Sequence, residues 1–253
     1  MVATVGFLYP GYSAEDDYPR LEAMLNEVGA GVRLPLVHTD IGTDAHRVEA
    51  LLEMGSVDRI TAVLGELTAS DGATGGKGTA VDAVVWACTS ASFVFGHEGA
   101  LEQVRRLSAA AGLPASSTSF AFARAVAALG VSRVAVAATY PDDVAGLFAD
   151  FLKAAEIEVV ATRGSGIITA AEVGTWGRDE VLRLAEAGDD PQADAVLLPD
   201  TALHTAAWVA EVEEALGKPV LTANQVTVWE GLRLLGHRAV CPALGTLFSA
   251  DGV

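Results

Sequence analysis

The sequence predicts an α/β fold built as two lobes, and three observations carry that prediction. Short apolar runs rich in Val and Ala alternate with amphipathic stretches of helical period, the pattern of strand-helix-strand units around a parallel sheet. Aromatic residues make up 6% of a chain that is 51% hydrophobic, a mix suited to close packing of helices on sheets rather than to a sandwich. A chain of 253 residues has material for one large core, or for two smaller ones fused across a shared interface.

In the first half, the apolar runs Ala3 to Tyr9, Val32 to Val37 and Ala83 to Ala87 read as strands. Helices are expected at about Asp16 to Val28, Thr43 to Met54 and Val57 to Leu67, with another after Gly99. The punctuated stretch Ala111-Gly112-Leu113-Pro114-Ala115-Ser116-Ser117 reads as the crossing between lobes, which places them at residues 1–112 and 113–253, with a C-terminal segment free to pack back on the first. The second half offers strands at Arg133 to Ala138, Glu158 to Thr162, Ala195 to Leu198 and Pro219 to Thr222. Its helices fall at about Ser119 to Leu129, Asp142 to Ala155, Arg178 to Ala187, His204 to Leu216 and Gln225 to Leu235. The expected architecture is two pseudo-symmetric, Rossmann-like lobes, each a parallel sheet flanked by helices, with the active site in the cleft between them.

Charge and composition exclude several functions. The chain carries 33 acidic against 16 basic residues and a formal charge of -17, which repels phosphate backbones, so nucleic acid is not an expected partner. No apolar run reaches the roughly 18 residues that span a bilayer, and no membrane association is expected. The start, Met1-Val2-Ala3-Thr4-Val5-Gly6, lacks the basic region of a signal peptide, and the expected location is cytoplasmic. The Gly-rich stretch Gly72-Ala73-Thr74-Gly75-Gly76-Lys77-Gly78 has neither phosphate-loop nor dinucleotide-loop spacing and reads as a surface loop, so no cofactor is implied. His38, His46, His97 and His237 show no metal-ligand spacing, and no metal is expected. A homo-oligomer is left open.

The two cysteines, Cys88 and Cys241, form no CxxC and no Cys/His cluster. Cys241 reads as a small packed hydrophobe. Cys88 opens the run Cys88-Thr89-Ser90-Ala91-Ser92-Phe93, where a strand hands over to a helix N-terminus. A thiol placed there is expected to favour its thiolate, with the Thr89 and Ser90 hydroxyls and amides ready to hold a carboxylate; an inert strand-end thiol is the competing reading. The second half contains a matching strand end, Val196-Leu197-Leu198-Pro199-Asp200-Thr201-Ala202, which faces the same kind of crevice.

The run at Cys88 resembles the first active-site loop of the arylmalonate decarboxylase and maleate isomerase branch of the Asp/Glu racemase superfamily. There this position is a catalytic Cys in isomerases and racemases and commonly Gly in the decarboxylase. Further similarities follow in the family's order. They are Ala137-Ala138-Thr139-Tyr140-Pro141-Asp142-Asp143-Val144, Gly166-Ile167, Asp194 to Thr201, Pro219-Val220-Leu221-Thr222-Ala223-Asn224-Gln225 and Gly245-Thr246-Leu247-Phe248. The resemblance implies a cofactor-independent enzyme acting through an enolate on a small carboxylate or dicarboxylate. Cys88 and Asp200 are then its candidate catalytic residues, and Thr89, Ser90, Tyr140, Thr201, Tyr9 and Pro10 its candidate substrate-binding residues. A decarboxylase is the first expectation. Maleate-like cis-trans isomerisation, amino acid or hydantoin racemisation, and a non-enzymatic small-acid binder are the alternatives.

Two positions depart from the family pattern. Asp200 stands where the second-lobe cysteine belongs, so a two-thiol racemase is not expected. An ionised Asp200 beside a dicarboxylate opposes binding, and it must hold a proton, pair with a cation, point away or cap a helix opening near Thr201. His204, four residues on, is either a neighbour of Asp200 or a surface histidine. The first-strand loop, Tyr9-Pro10-Gly11-Tyr12-Ser13-Ala14-Glu15-Asp16-Asp17-Tyr18, lacks the Asn with which maleate isomerases grip substrate, and this favours the decarboxylase side.

Overall fold

The computed structural model describes residues 2–68 and 80–249. The Gly-rich segment at Gly72 to Gly78 lies outside the described residues. The first lobe runs β1 (Ala3–Pro10), α1 (Asp17–Glu27), β2 (Val32–Arg33), β3 (Leu36–Thr39), α2 (Val48–Met54), α3 (Val57–Ala62), α4 (Leu64–Thr68), β4 (Ala83–Trp86), α5 (Ser90–Phe93), α6 (Gly96–Ala111) and β5 (Ala115–Ser117). After α7 (Thr118–Ala128) the second lobe runs β6 (Arg133–Ala138), α8 (Asp142–Ala154), β7 (Glu158–Gly164), α9 (Ala170–Val173), α10 (Arg178–Gly188), β8 (Ala195–Leu198), α11 (Val209–Leu216) and β9 (Val220–Thr222). The long helix α12 (Ala223–Leu234) follows.

Among the described residues every strand pair is parallel. All residues of β1, β4 and β8 are buried, as strands covered on both faces by helices must be. The order is β2-β1-β4-β5 in the first sheet, with β3 continuing β2's place beside β1, and β7-β6-β8-β9 in the second. The run Val32 to Val37 is split into β2 and β3 at Leu34-Pro35, because proline has no N–H to give to a ladder. Counting β2 and β3 as one position, both lobes follow a 2-1-3-4 order. A topological switch point therefore falls between β1 and β4, and again between β6 and β8, and the crevice beyond the carboxyl ends of those strands is where open sheets bind ligands.

The lobes interlock. The first sheet extends past the expected crossing, since Ala115–Ser117 pairs with Val84–Trp86 as its edge strand. Helix α12 leaves β9 and packs against α7, α1, β1, β4 and β5 of the first lobe. Gly231 lets that approach happen, because a Cβ there would overlap the Val5 side chain. The fully buried Glu230 of α12 pairs with Arg124 of α7 and with Arg233. Rings from α5, α7 and α8 fill the seam, with Phe93 and Phe148 at 5.3 Å, Phe122 and Phe148 at 5.4 Å and Phe120 and Phe151 at 5.3 Å. One continuous apolar cluster thus joins both lobes, and a second lies around α10 and α11 on the far face of the second sheet.

Candidate active site

Cys88 stands two residues beyond the end of β4, and neighbouring segments fix the loop that carries it. The Thr89 carbonyl accepts from the Ser92 and Phe93 amides at 3.0 Å each and from Ser119 Oγ at 2.9 Å. The Ala91 carbonyl accepts from Gln103 Nε2 at 2.9 Å and packs against Gly55, where any side chain would collide with it. Ser92 Oγ meets Ser117 Oγ at 2.9 Å. Within this frame Cys88 Sγ lies 3.8 Å from Ser90 Oγ. Thr89 is fully buried, and its Oγ1 makes no hydrogen bond. An unsatisfied hydroxyl in such a place costs roughly 1–3 kcal/mol, a cost that an arriving oxygen ligand removes.

The thiol at Cys88 is neutral. Burial pushes it up to about 12, with Asp200 adding to the rise, against hydrogen bonds from the Ala91 and Ser90 amides and the Ser90 hydroxyl. This overturns the expectation of a favoured thiolate. Helix α5 has four residues, so its N-terminus supplies local amides but little dipole, and desolvation wins.

The second lobe answers from the ends of β6 and β8. Tyr140 is buried, and its hydroxyl donates to the Pro199 carbonyl at 2.8 Å. To hold a carboxylate, that hydroxyl must turn from Pro199. Burial raises Tyr140 well above the ordinary phenol value, and the nearby Asp200 and Cys88 add to it. The Thr89 and Ser90 hydroxyls lie close enough to oppose this rise, though Thr89 Oγ1 meets no hydrogen-bond geometry. Asp200, 4% exposed, accepts from the Ala202 amide at 2.9 Å through Oδ1 and from Thr139 Oγ1 through Oδ2. It closes a turn rather than capping a helix, since α11 begins at Val209.

Tyr9 joins the lobes. Its hydroxyl donates to the Thr201 carbonyl at 2.9 Å and accepts from the Ala14 amide at 3.0 Å. The electrostatic influence of Asp200 reaches Tyr9, Tyr140 and Cys88 alike, so the two catalytic candidates and both tyrosines lie in one neighbourhood. Pro10 is buried at the end of β1. Tyr12 is 75% exposed and stacks on His38, outside the site. His204 does not reach Asp200; its Nε2 lies 2.7 Å from Asp16 Oδ1 across the lobe boundary.

Three residues missed in the sequence complete the picture. Thr139 binds Asp200. Asp17 accepts from the Thr205 and Ala206 amides at 2.9 and 3.2 Å and from Asn224 Nδ2 at 3.1 Å, which clamps α1 to the second lobe. His46 is buried with Nε2 4.0 Å from Asp200 Oδ2, its ring edge-on to Tyr140 at 4.8 Å. The motif at Tyr140 could have drawn attention to Thr139; nothing local marks Asp17 or His46. Among the described residues no group of three or more His, Cys, Asp or Glu side chains is placed to hold a metal ion, and no helix is long and apolar enough to cross a membrane.

Fold and candidate residues together define a class: tandem α/β lobes that each carry one acid-base candidate just past the end of a central strand. The chain belongs to the arylmalonate decarboxylase family, whose model matches residues 47–248. It is 37% identical over 144 residues to the arylmalonate decarboxylase of Bordetella bronchiseptica, a match covering 55% of this chain and 59% of that protein. It is 27% identical to the maleate isomerase of Geobacillus stearothermophilus over 66% of this chain and 69% of the relative. The crystal structure of the maleate isomerase Iso from Pseudomonas putida superposes with a TM-score of 0.85 at 23% identity, covering 99% of this chain and 100% of that one. That likeness establishes the fold.

Proposed function

We propose that the chain is a cofactor-independent lyase that decarboxylates a small aryl- or alkylmalonate, with Cys88 as its proton donor. The observation that carries this reading is a buried Cys88 thiol next to an unpartnered Thr89 hydroxyl, within electrostatic reach of Tyr140 and Asp200 of the other lobe. One substrate carboxylate is held by Thr89, Ser90 and Tyr140 and by backbone amides near Thr201. The bond to the second carboxylate breaks and carbon dioxide leaves. Its electron pair passes into an enediolate on the retained group, which the hydroxyls stabilise. Cys88 then delivers its proton to the carbon from one face, and water restores the thiol. Membership of the arylmalonate decarboxylase family and the similarity to the Bordetella decarboxylase support this assignment. A cytoplasmic location accords with two free thiols, Cys88 and Cys241.

A second reading, cis-trans isomerisation of a maleate-like diacid, has one observation in its favour. Asp200 has the buried His46 beside it at 4.0 Å, and an isomerase must retain both carboxylates in polar surroundings. Nucleophilic addition, however, needs a thiolate, which burial disfavours at Cys88. Incubating the protein with aryl- and alkylmalonates and with maleate in deuterium oxide, followed by proton NMR, separates the two. Loss of carbon dioxide with one deuterium incorporated is expected; fumarate from maleate would select the second reading, and silence on all substrates would sink both.

A further inference from the structure

We infer that His46 is the cation that balances Asp200, and that this pair lets a carboxylate enter a site whose second thiol has been replaced by an acid. The inference rests on the reading of the cleft as a carboxylate site and adds a residue that the sequence did not single out. His46 Nδ1 lies 2.9 Å from the Ile167 carbonyl, and a carbonyl only accepts, so Nδ1 carries hydrogen. The ring is held in that orientation by the His46 amide, which donates to the Ile168 carbonyl at 2.6 Å, and by the edge-on Tyr140. Nε2 therefore faces Asp200 Oδ2 at 4.0 Å, with the two side chains 6% and 5% exposed.

A neutral imidazole in this position would aim a bare lone pair at a carboxylate oxygen where little water intervenes. Asp200 itself already accepts through both oxygens, from Ala202 N and Thr139 Oγ1. A proton on Nε2 converts the repulsion into attraction and brings the pair to zero net charge. Without it, the Asp200 charge would meet every incoming carboxylate at close range in a poorly hydrated cleft. His46 acts here through Asp200 and is a positioning residue in that sense, setting the charge that the second lobe shows to substrate.

The test has two arms. In protein labelled with nitrogen-15 histidine, the His46 signals are identified as those lost in His46→Gln, and both ring nitrogens are expected to be protonated at pH 7. In Asp200→Asn the Nε2 proton should be gone. A bare Nε2 in the native protein overturns the pairing. In the second arm, phenylacetate, which can neither decarboxylate nor isomerise, is titrated calorimetrically into four proteins. His46→Gln should weaken binding about tenfold, and adding Asp200→Asn should restore it, because the unbalanced charge is then removed. Loss of binding that Asp200→Asn does not rescue would mean that His46 only shapes the site, and would end the charge-balance role. Native protein that holds a protonated His46 yet fails to bind phenylacetate would instead count against the carboxylate site.

Discussion

The two lobes are built on one plan and armed differently. In each, the third strand in sequence ends in a buried loop at a switch point, reached by Cys88 after β4 and by Asp200 after β8. The first lobe surrounds its thiol with hydroxyls and backbone amides and leaves it neutral, holding the proton. The second holds its carboxylate with Thr139 and the Ala202 amide, and the first lobe sets His46 beside it. A shared topology thus fixes where acid-base groups stand, and the local dielectric and hydrogen-bond donors decide what each can do.

The sharpest way to break this comparison is to move the sulfur. Cys88→Ala should lower turnover of the identified substrate roughly a thousandfold or more, measured by NMR rate. Adding Asp200→Cys to that variant should recover part of the activity and, with an α-aryl-α-methylmalonate, give the product of opposite hand on a chiral column. Full activity in Cys88→Ala would show that the first lobe does not supply the proton.

Tyr140 spans the comparison, since it belongs to the second lobe but faces the first lobe's hydroxyls. Tyr140→Phe should reduce kcat roughly a hundredfold if its hydroxyl turns from Pro199 to the developing oxyanion, with little change in thermal stability. Equal kcat in both proteins would confine Tyr140 to packing.

The clamp between lobes is tested by Asp17→Ala. Three donors, the Thr205 and Ala206 amides and Asn224 Nδ2, lose their acceptor, and stability should fall by about 2–4 kcal/mol in a denaturant titration. The smallest expected effect concerns alkaline pH. Cys88 sits at about 12 in the folded chain against an ordinary 9.0, so the folded state keeps a proton that the unfolded chain releases. That contribution is complete below pH 9 and is lost as pH rises toward 12. Tyr9, Tyr18 and Tyr140, all raised by burial, add a loss in the same direction from about pH 10 upward. Cys88→Ala should therefore delay the onset of alkaline destabilisation, seen as a shallower fall in Tm between pH 9 and 10.

Much of this architecture was legible in the chain. The apolar runs at Ala3, Ala83, Arg133 and Ala195 became β1, β4, β6 and β8, the strands that flank the two switch points. Strand β5 was hidden because Ala115-Ser116-Ser117 is small and polar. It is a strand because β4 offers it a ladder and because Ser92 and Arg124 bind its hydroxyls. Helix α11 was expected from His204 but starts at Val209, since Asp17 of the other lobe claims the Thr205 and Ala206 amides.

The sequence by itself determined the alternation of strands and helices, the places where strands stop and the identity of the groups that stand there. These follow from hydrophobic period and residue type, which act over a few neighbours. The tertiary structure alone decided that Cys88 is a protonated thiol rather than a thiolate, and that Asp200 has a histidine at its side. Burial sets the first. The second depends on a contact between His46 and the Ile167 carbonyl, 121 residues along the chain, and no local pattern encodes a partner that distant.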